Sequence, residues 1–404
     1  MAPHRVAVTG LGVISPLGHD VSSFWNALCA GRPAIARIES VDLSSIRFQN
    51  GAEVRGYDPA QHFEPAQADL LDRFAQFALI AARQATGDSG IVFTPELGRR
   101  TAIVTGSSVG GQSTQDTQFF AVYRNNSPRV HPLTIPRIMP NAGASHISME
   151  FGISGPAYTI STACASSNHA IGQAFWMVRS GAAELAIAGG SETPFSFGFL
   201  KAWEAMRVVA PDTCRPFSRD RRGLILGEGA AMLVLEPLER ARARGANVYA
   251  EIVGFGMSAD AGHITTPSIE GPARAIQAAL RDGNLNAEAV GYINAHGTGT
   301  PSNDPTETRA IRQVFGAHAD KLAVSSTKSM HGHALGAASA LEAVATVLAL
   351  RHGVLPPTAN FTTPDPECNL DVVPNQSRAD QVECALSNAF AFGGLNAVLA
   401  FRRV

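Results

Sequence analysis

One cysteine and two histidine segments hold the residues of this chain best suited to chemistry. Cys164 lies in "ISTACASSNHA" (160–170), where an apolar run gives way to very small side chains. That run reads as a strand, followed by a tight turn and a helix beginning near Ser167. A helix starting there aims its free N–H groups and the positive end of its dipole at the sulfur. Such a setting favours thiolate over thiol and leaves an exposed nucleophile. The small neighbours let the turn be sharp and a substrate come close. His296 follows a predicted strand in "NAHGTGTPSND", with Gly297 and Gly299 making room and Thr298 and Thr300 offering hydroxyls. Lys328, His331 and His333 share the loop of "SSTKSMHGHALGAASALEA", ahead of a predicted helix that carries Glu342. A single cysteine is more often a packed core residue, and a single histidine at a strand end is more often structural. A cysteine, two histidines and a lysine, each at a Gly-, Ser- or Thr-rich junction after a strand, point instead to one shared site.

The elements that must position these residues alternate between apolar, β-rich runs and helical patterns, which predicts an α/β protein. Predicted strands include "RVAVTGLG", "TAIVTGSS", "AYTISTAC", "LAIAGGSE", "AEIVGFGMS", "GYINAHGTG", "LAVSSTK" and "CALSNAFAF"; predicted helices include Ser167–Ser180 and Ala334–Arg351. A faint internal echo runs through them. "AYTISTAC" and its following helix resemble "LAVSSTKS" and its own, and "VAVTGLGVIS" resembles "AEIVGFGMSA". The chain therefore reads as two similar halves, 1–245 with the cysteine and 246–404 with the histidines, packed face to face with the chemistry at their boundary.

Composition excludes several other classes. At 404 residues and 45% hydrophobic content the chain can bury a large core. Its 32 basic and 34 acidic residues leave a net charge of −2 with no polybasic run, which argues against nucleic-acid or anionic-membrane binding. Gly10, Gly12 and Pro16 break the apolar N-terminus, so it reads as a buried strand rather than a signal peptide, and "ALEAVATVLAL" is too short to span a membrane. Cys29, Cys164, Cys214, Cys368 and Cys384 are odd in number and lack C-x-x-C spacing, which argues against a zinc site or a disulfide framework and for a reducing cytoplasm.

Taken together, "TACASS", "AHGTGTPSND", "SSTKSMHGHALGAA" and "SNAFAFGGLNA", in this order, resemble the elongating β-ketoacyl-[acyl-carrier-protein] synthases. The resemblance covers nearly the whole chain, from "VAVTGLGVISPLG" to "NAVLAFRRV". It implies the thiolase fold, two duplicated halves stacked as a five-layered αβαβα sandwich and usually dimerised with a second copy. It also implies decarboxylative condensation of an acyl group held on Cys164 with malonyl-[acyl-carrier-protein], with Cys164, His296 and His333 as the catalytic triad and the backbone N–H groups of Cys164 and Phe392 as an oxyanion hole. Lys328 and Glu342 fall on a supporting ion pair, and Thr298 and Thr300 on hydroxyls that bind the 4'-phosphopantetheine arm. That arm belongs to the partner carrier protein, so no cofactor of the chain's own is implied. Phe392 falls on the gate of the acyl pocket and Val109, in "GSSVGG", on the far end of that pocket. Asn294, Glu342, Ser387 and Asn388 resemble positions at which some relatives hold a monovalent cation.

Departures from the family pattern carry expectations of their own. Ala391 and Leu395 replace a glycine and a threonine beside the gate, and His331 stands where a threonine is common, which makes His333 the catalytic position. Glu204 replaces an arginine where an acidic carrier protein would dock, leaving Arg129, Lys201 and Arg207 as docking cations. Three other readings compete with a condensing homodimer. A catalytically silent chain-length-factor-like subunit would have lost the nucleophile. A thiolase would carry a second cysteine in a C-x-G context, whereas Cys384 lies inside a predicted strand. An initiating synthase would have asparagine in place of one histidine.

Overall fold

The computed structural model describes residues 3–404. Ten strands form one sheet: β1 (Val6–Ile14), β2 (Thr101–Gly106), β3 (Ala157–Ile160), β4 (Leu185–Glu192), β5 (Gly229–Pro237), β6 (Ala250–Ala259), β7 (Val290–Asn294), β8 (Ala323–Ser325), β9 (Cys384–Ala391) and β10 (Leu395–Arg402). Their spatial order is β8-β7-β9-β10-β6-β1-β5-β4-β2-β3. Divided between β5 and β6, the two sets have the same order: third, second, fourth, fifth, first. The pairing directions also match. β2 runs parallel to β3 and β4 while β5 is antiparallel to β4 and β1; β7 runs parallel to β8 and β9 while β10 is antiparallel to β9 and β6. Among the described residues the two sets join at one corner, where Val6, Ala7 and Val8 pair antiparallel with Ile252, Glu251 and Ala250. The internal echo in the sequence is thus a duplication of topology: β1 and β6 are the first strands of each set, β3 and β8 the third.

Helices supply the other layers. α1 (Arg73–Ser89) covers the outer face of β1 and β5, and α3 (Glu270–Asp282) covers the outer face of the second set at β6 and β10, with α4 (Asn303–Phe315) packed against α3. Between the two sets lie α2 (Ser166–Ser180) and α5 (Ala338–His352), which touch each other and strands on both sides. The layers therefore run α, β, α, β, α. Position explains composition here. Ala338–Leu350 of α5 is buried on every face, as a helix between two sheets must be, and β1 is buried throughout because helices cover both of its faces. No helix among the described residues is long and apolar enough to cross a membrane.

Two adjustments to the predicted elements bear on the site. α5 begins at Ala338 rather than Ala334, because Leu335–Ala337 tighten into a 3-10 turn and Leu335 takes φ +47°. The strand before His296 ends at Asn294, which frees the histidine from the ladder. The start of α2 settles against β2 at Gly106, where a Cβ would come within 2.5 Å of the Ser167 nitrogen. Only glycine permits that approach, and it draws the turn carrying Cys164 into the molecule's interior.

Candidate active site

Cys164 lies in the turn between β3 and α2, just before the first residue of the helix. Ala163 holds φ +48° there, a left-handed conformation that costs a non-glycine residue about 1 kcal/mol or more. Hydroxyls hold the turn in that shape. The Ala163 carbonyl accepts from Ser166 Oγ at 2.7 Å and from Ser108 Oγ at 2.9 Å, and Ser166 Oγ accepts from the Thr162 N–H at 2.9 Å. The small residues around Cys164 are thus both spacers and the turn's own fasteners.

His296 and His333 approach the same sulfur from the second half. The N–H groups of His296 and Gly297 donate to the two carboxylate oxygens of Glu307 on α4, at 2.9 and 2.8 Å. His333 donates its own N–H to the Ile225 carbonyl at 2.7 Å, and its Nδ1 accepts from the Leu335 N–H at 3.0 Å. That last bond fixes the tautomer: the neutral ring carries its proton on Nε2. His333 Nε2 is buried and has no hydrogen-bond partner. The two imidazoles meet edge to face with centroids 5.5 Å apart. The sulfur and one nitrogen of each ring lie within 4.8 Å of one another. A metal ion could span such a triangle, but Lys328 Nζ stands 3.4 Å from His296 Nδ1 and sets a positive charge against any cation there.

Lys328 and Glu342 form a fully buried ion pair, and Lys328 Nζ also donates to the His296 carbonyl at 2.7 Å. Burial, followed by the Lys328 charge, holds both His296 and His333 well below the usual imidazole range, so each ring is neutral at pH 7. Burial pushes Glu342 up to about 7, against the pull of Lys328. The expectation of a thiolate at Cys164 is corrected: burial pushes its thiol up to about 11, outweighing Lys328 and the N–H groups of Phe392 and Cys164 that face the sulfur. The helix start is where the sequence places it, but at 7% exposure desolvation dominates.

The remaining sequence candidates distribute unevenly. Thr298, Thr300, Ala391 and Phe392 line the same pocket as Cys164, His296 and His333, and the two threonine hydroxyls lie 2.9 Å apart. His331 faces away, its Nε2 on Thr327 Oγ1 at 2.9 Å and its Nδ1 on the Gly332 carbonyl at 2.8 Å; burial lowers its pKa to about 3. Val109 does not line the pocket of the single chain; its N–H turns to Glu192 at 3.3 Å. Glu204 is no free docking acid, because its carboxylate is taken by the Lys201 ammonium and the Arg47 N–H. Lys201 is thereby also consumed, while Arg129 and Arg207 remain exposed.

Asn294 Oδ1, Glu342 Oε2, Ser387 Oγ and Asn388 Oδ1 are all buried without a hydrogen-bond partner. Ser387 and Asn294 are register partners on β9 and β7, and Asn294 Nδ2 reaches the Glu342 carbonyl at 3.4 Å. These contacts bring Asn294, Ser387 and Glu342 together, and unsatisfied oxygens of this kind fit a hard cation, which oxygen donors bind.

Sequence reasoning passed over three carboxylates that organise the site. Glu307 orients His296, and Asp304 fixes the neighbouring turn by accepting from the Gly299 and Phe217 N–H groups at 3.2 and 2.8 Å. Glu192 accepts from Ser107 Oγ, Ser108 N–H and Gly336 N–H at 2.9, 2.6 and 3.1 Å, tying the Cys164 turn to the His333 loop. An acid inside the otherwise apolar strand "LAIAGGSE" was the available signal for Glu192.

Comparison with known proteins agrees with this geometry. Residues 4–241 match the family model for the β-ketoacyl synthase N-terminal domain, and residues 249–362 that for the C-terminal domain. The chain is 49% identical to nodulation protein E of Rhizobium sp. (strain N33), covering 99% of each chain. It is 44% identical to 3-oxoacyl-[acyl-carrier-protein] synthase 2 of Coxiella burnetii (strain RSA 493 / Nine Mile phase I), covering 100% of both. Among solved structures, the ishigamide ketosynthase/chain length factor superposes with a TM-score of 0.94 at 38% identity over 100% of each chain. A thiolase-fold chain that gathers a cysteine and two neutral histidines at the seam of its halves, and matches these relatives end to end, belongs to the β-ketoacyl synthase family of condensing enzymes.

Proposed function

We propose that this β-ketoacyl-[acyl-carrier-protein] synthase runs its condensation through Cys164, His296 and His333, with Lys328 and Glu342 in support. The Cys164 sulfur attacks an acyl thioester delivered on a carrier protein. Its S–H proton leaves with the carrier's pantetheine thiol as the acyl–sulfur bond forms. The backbone N–H groups of Cys164 and Phe392, both aimed at the sulfur's surroundings, stabilise the oxyanion of that step. Malonyl thioester then enters along Thr298 and Thr300 and loses its carboxylate as carbon dioxide. The electron pair released forms an enolate, whose oxygen receives hydrogen bonds from Nε2 of His296 and His333. The enolate carbon attacks the acyl carbonyl, a carbon–carbon bond forms, and the carbon–sulfur bond breaks, releasing a Cys164 thiolate that takes a proton from water to restore the thiol.

The single observation carrying this reading is His333 Nε2, a buried donor with no partner in the protein and aimed into the pocket beside Cys164. A buried donor left unsatisfied costs about 1–3 kcal/mol, a cost that a substrate oxygen removes. Burial, seconded by the Lys328 charge, keeps both imidazoles neutral, so each has one N–H to donate. Asn294, Glu342, Ser387 and Asn388, with their unpartnered oxygens, would hold a monovalent cation. Retention of Cys164, His296, Lys328 and His333 disfavours a silent partner subunit.

An exposed sheet edge at β3, which carries exposed Tyr158, together with exposed Phe120, Tyr123 and Ile135 in the segment before it, supports a dimer with a second copy or with a related subunit. The carrier protein is the source of both thioesters. The test is incubation of the purified chain with malonyl-carrier protein and a panel of acyl-carrier proteins. The reading expects a β-ketoacyl product lengthened by one malonyl-derived unit, detected by intact mass of the carrier; no lengthened product with any acyl group contradicts it.

A further inference from the structure

The pocket wall that carries Phe392 is aromatic, and it is anchored at a distance. Phe392 begins the turn between β9 and β10, followed by Gly393 at φ +84° and Gly394 at φ +69°. Backbone bonds tether one side of this turn to the 260–264 loop: the Gly393 N–H donates to the Ile264 carbonyl at 2.7 Å, and the Asp260 N–H donates to the Gly394 carbonyl at 2.9 Å. On the other side the Phe392 ring stacks with the Trp203 indole, centroids 6.3 Å apart at 29°. Trp203 is 8% exposed and lines the same pocket as Cys164. Phe199 braces the indole edge-on at 6.2 Å.

Trp203 belongs to the helix Phe197–Met206, and polar contacts hold that helix in place. Lys201 Nζ donates to the Ser45 carbonyl at 2.8 Å, while Glu204 takes both Lys201 and the Arg47 N–H. Leu43, Ile46 and Phe48 of the same loop pack into the apolar cluster that contains Trp203. Glu204 therefore clamps the helix that presents Trp203 to Phe392. The turn with two left-handed glycines is the pliable member of this pair, and the clamped helix is the rigid one.

We infer that Trp203 is a positioning residue that sets acyl selectivity: its indole holds the Phe392 ring across the pocket, and a chain arriving on Cys164 must part the two rings. This rests on the condensing function proposed above. A long chain replaces the lost ring contact with its own, whereas a short chain leaves it unreplaced. The stacked pair therefore discriminates against short chains by roughly 2- to 13-fold, the range that aromatic pair energies imply.

The test compares Cys164 acylation by a short and a long acyl-carrier-protein thioester in the wild-type dimer, Trp203→Leu and Trp203→Phe. Trp203→Leu should raise kcat/KM for the short chain by roughly 2- to 13-fold with little change for the long one. Trp203→Phe should restore most of the preference. An unaltered ratio, or a parallel fall in both acylations, overturns the inference. A second measurement needs no Trp203 variant. In Trp25→Phe/Trp176→Phe protein, Trp203 is the sole tryptophan, and its emission should shift when a long acyl group loads. An adduct on Cys164 with unchanged emission overturns the role of Trp203 alone. Failure of any adduct to form on Cys164 overturns the functional reading beneath it.

Discussion

The two halves use one topological position in opposite ways. In the first, β3 passes to the central helix α2 through Ser161–Ala165, a connection so short that Ala163 is forced to φ +48° and only the Cys164 side chain faces the pocket. In the second, β8 passes to the central helix α5 through Ser326–Ala337, with room for a helical turn at Lys328–His331 and a 3-10 turn at Leu335–Ala337. The short connection delivers one side chain to the pocket, the Cys164 thiol, with no charged group of its own beside it. The longer one delivers the Lys328 ammonium, which pairs with Glu342 on α5, and the oriented imidazole of His333. Duplication thus supplied two equivalent crossings, and loop length divided the labour between them.

The largest effect on this comparison should come from removing the longer connection's charge. Lys328→Ala leaves Glu342 buried without its partner, so unfolding stability should fall by about 3–5 kcal/mol in denaturant titration, and decarboxylation should be lost with it. Lys328→Ala protein as stable as wild type would mean that the pair does not organise the second crossing. Next, His296→Ala and His333→Ala should each slow malonyl decarboxylation by ~10²-fold or more while still allowing acyl transfer to Cys164, measured by carbon dioxide release and by mass. His331→Ala, whose ring faces Thr327 and Gly332, should retain far more activity; the reverse order at His331 and His333 would mean that the imidazole orientations are wrong.

A smaller effect tests burial on the longer connection. His331 has a folded pKa of about 3 against an ordinary 6.5. At pH 5 the unfolded chain therefore binds a proton that the folded one refuses, and stability falls as pH drops below about 6.5. Wild type should lose about 2 kcal/mol more stability between pH 7 and pH 5 than His331→Gln does, read from denaturant midpoints at the two pH values. On the short connection, a thiol at about 11 predicts slow iodoacetamide alkylation of Cys164 at pH 7, rising about tenfold per pH unit towards pH 10. A rate already flat above pH 7 would show that the helix start does hold a thiolate.

What the sequence made legible follows from how local each feature is. The β3–turn–α2 unit around Cys164, the Gly-rich shoulder after His296 and the register that separates His333 from His331 are all short-range patterns, and the structure carries each of them. The duplicated order of strands was legible only as an echo, because strand order depends on contacts far apart in sequence. The protonation of Cys164 was misjudged for a similar reason: the dipole of a following helix can be read locally, whereas 7% exposure results from the whole fold. The pairing of Glu204 was not legible because Arg47, whose N–H it holds, is 157 positions away. Glu307 and Glu192 were overlooked because an acid that accepts backbone N–H bonds is indistinguishable in sequence from one in solvent.

The central claim is that Cys164 carries the acyl group and the histidines spend it. Intact and peptide-level mass of the protein, taken after loading with an acyl-carrier protein and again after adding malonyl-carrier protein, tests this directly. The account predicts one acyl adduct, on the peptide containing Cys164, that is discharged by malonyl-carrier protein in wild type and persists in His333→Ala. An adduct on another residue, or condensation by Cys164→Ala at a rate near wild type, would contradict it.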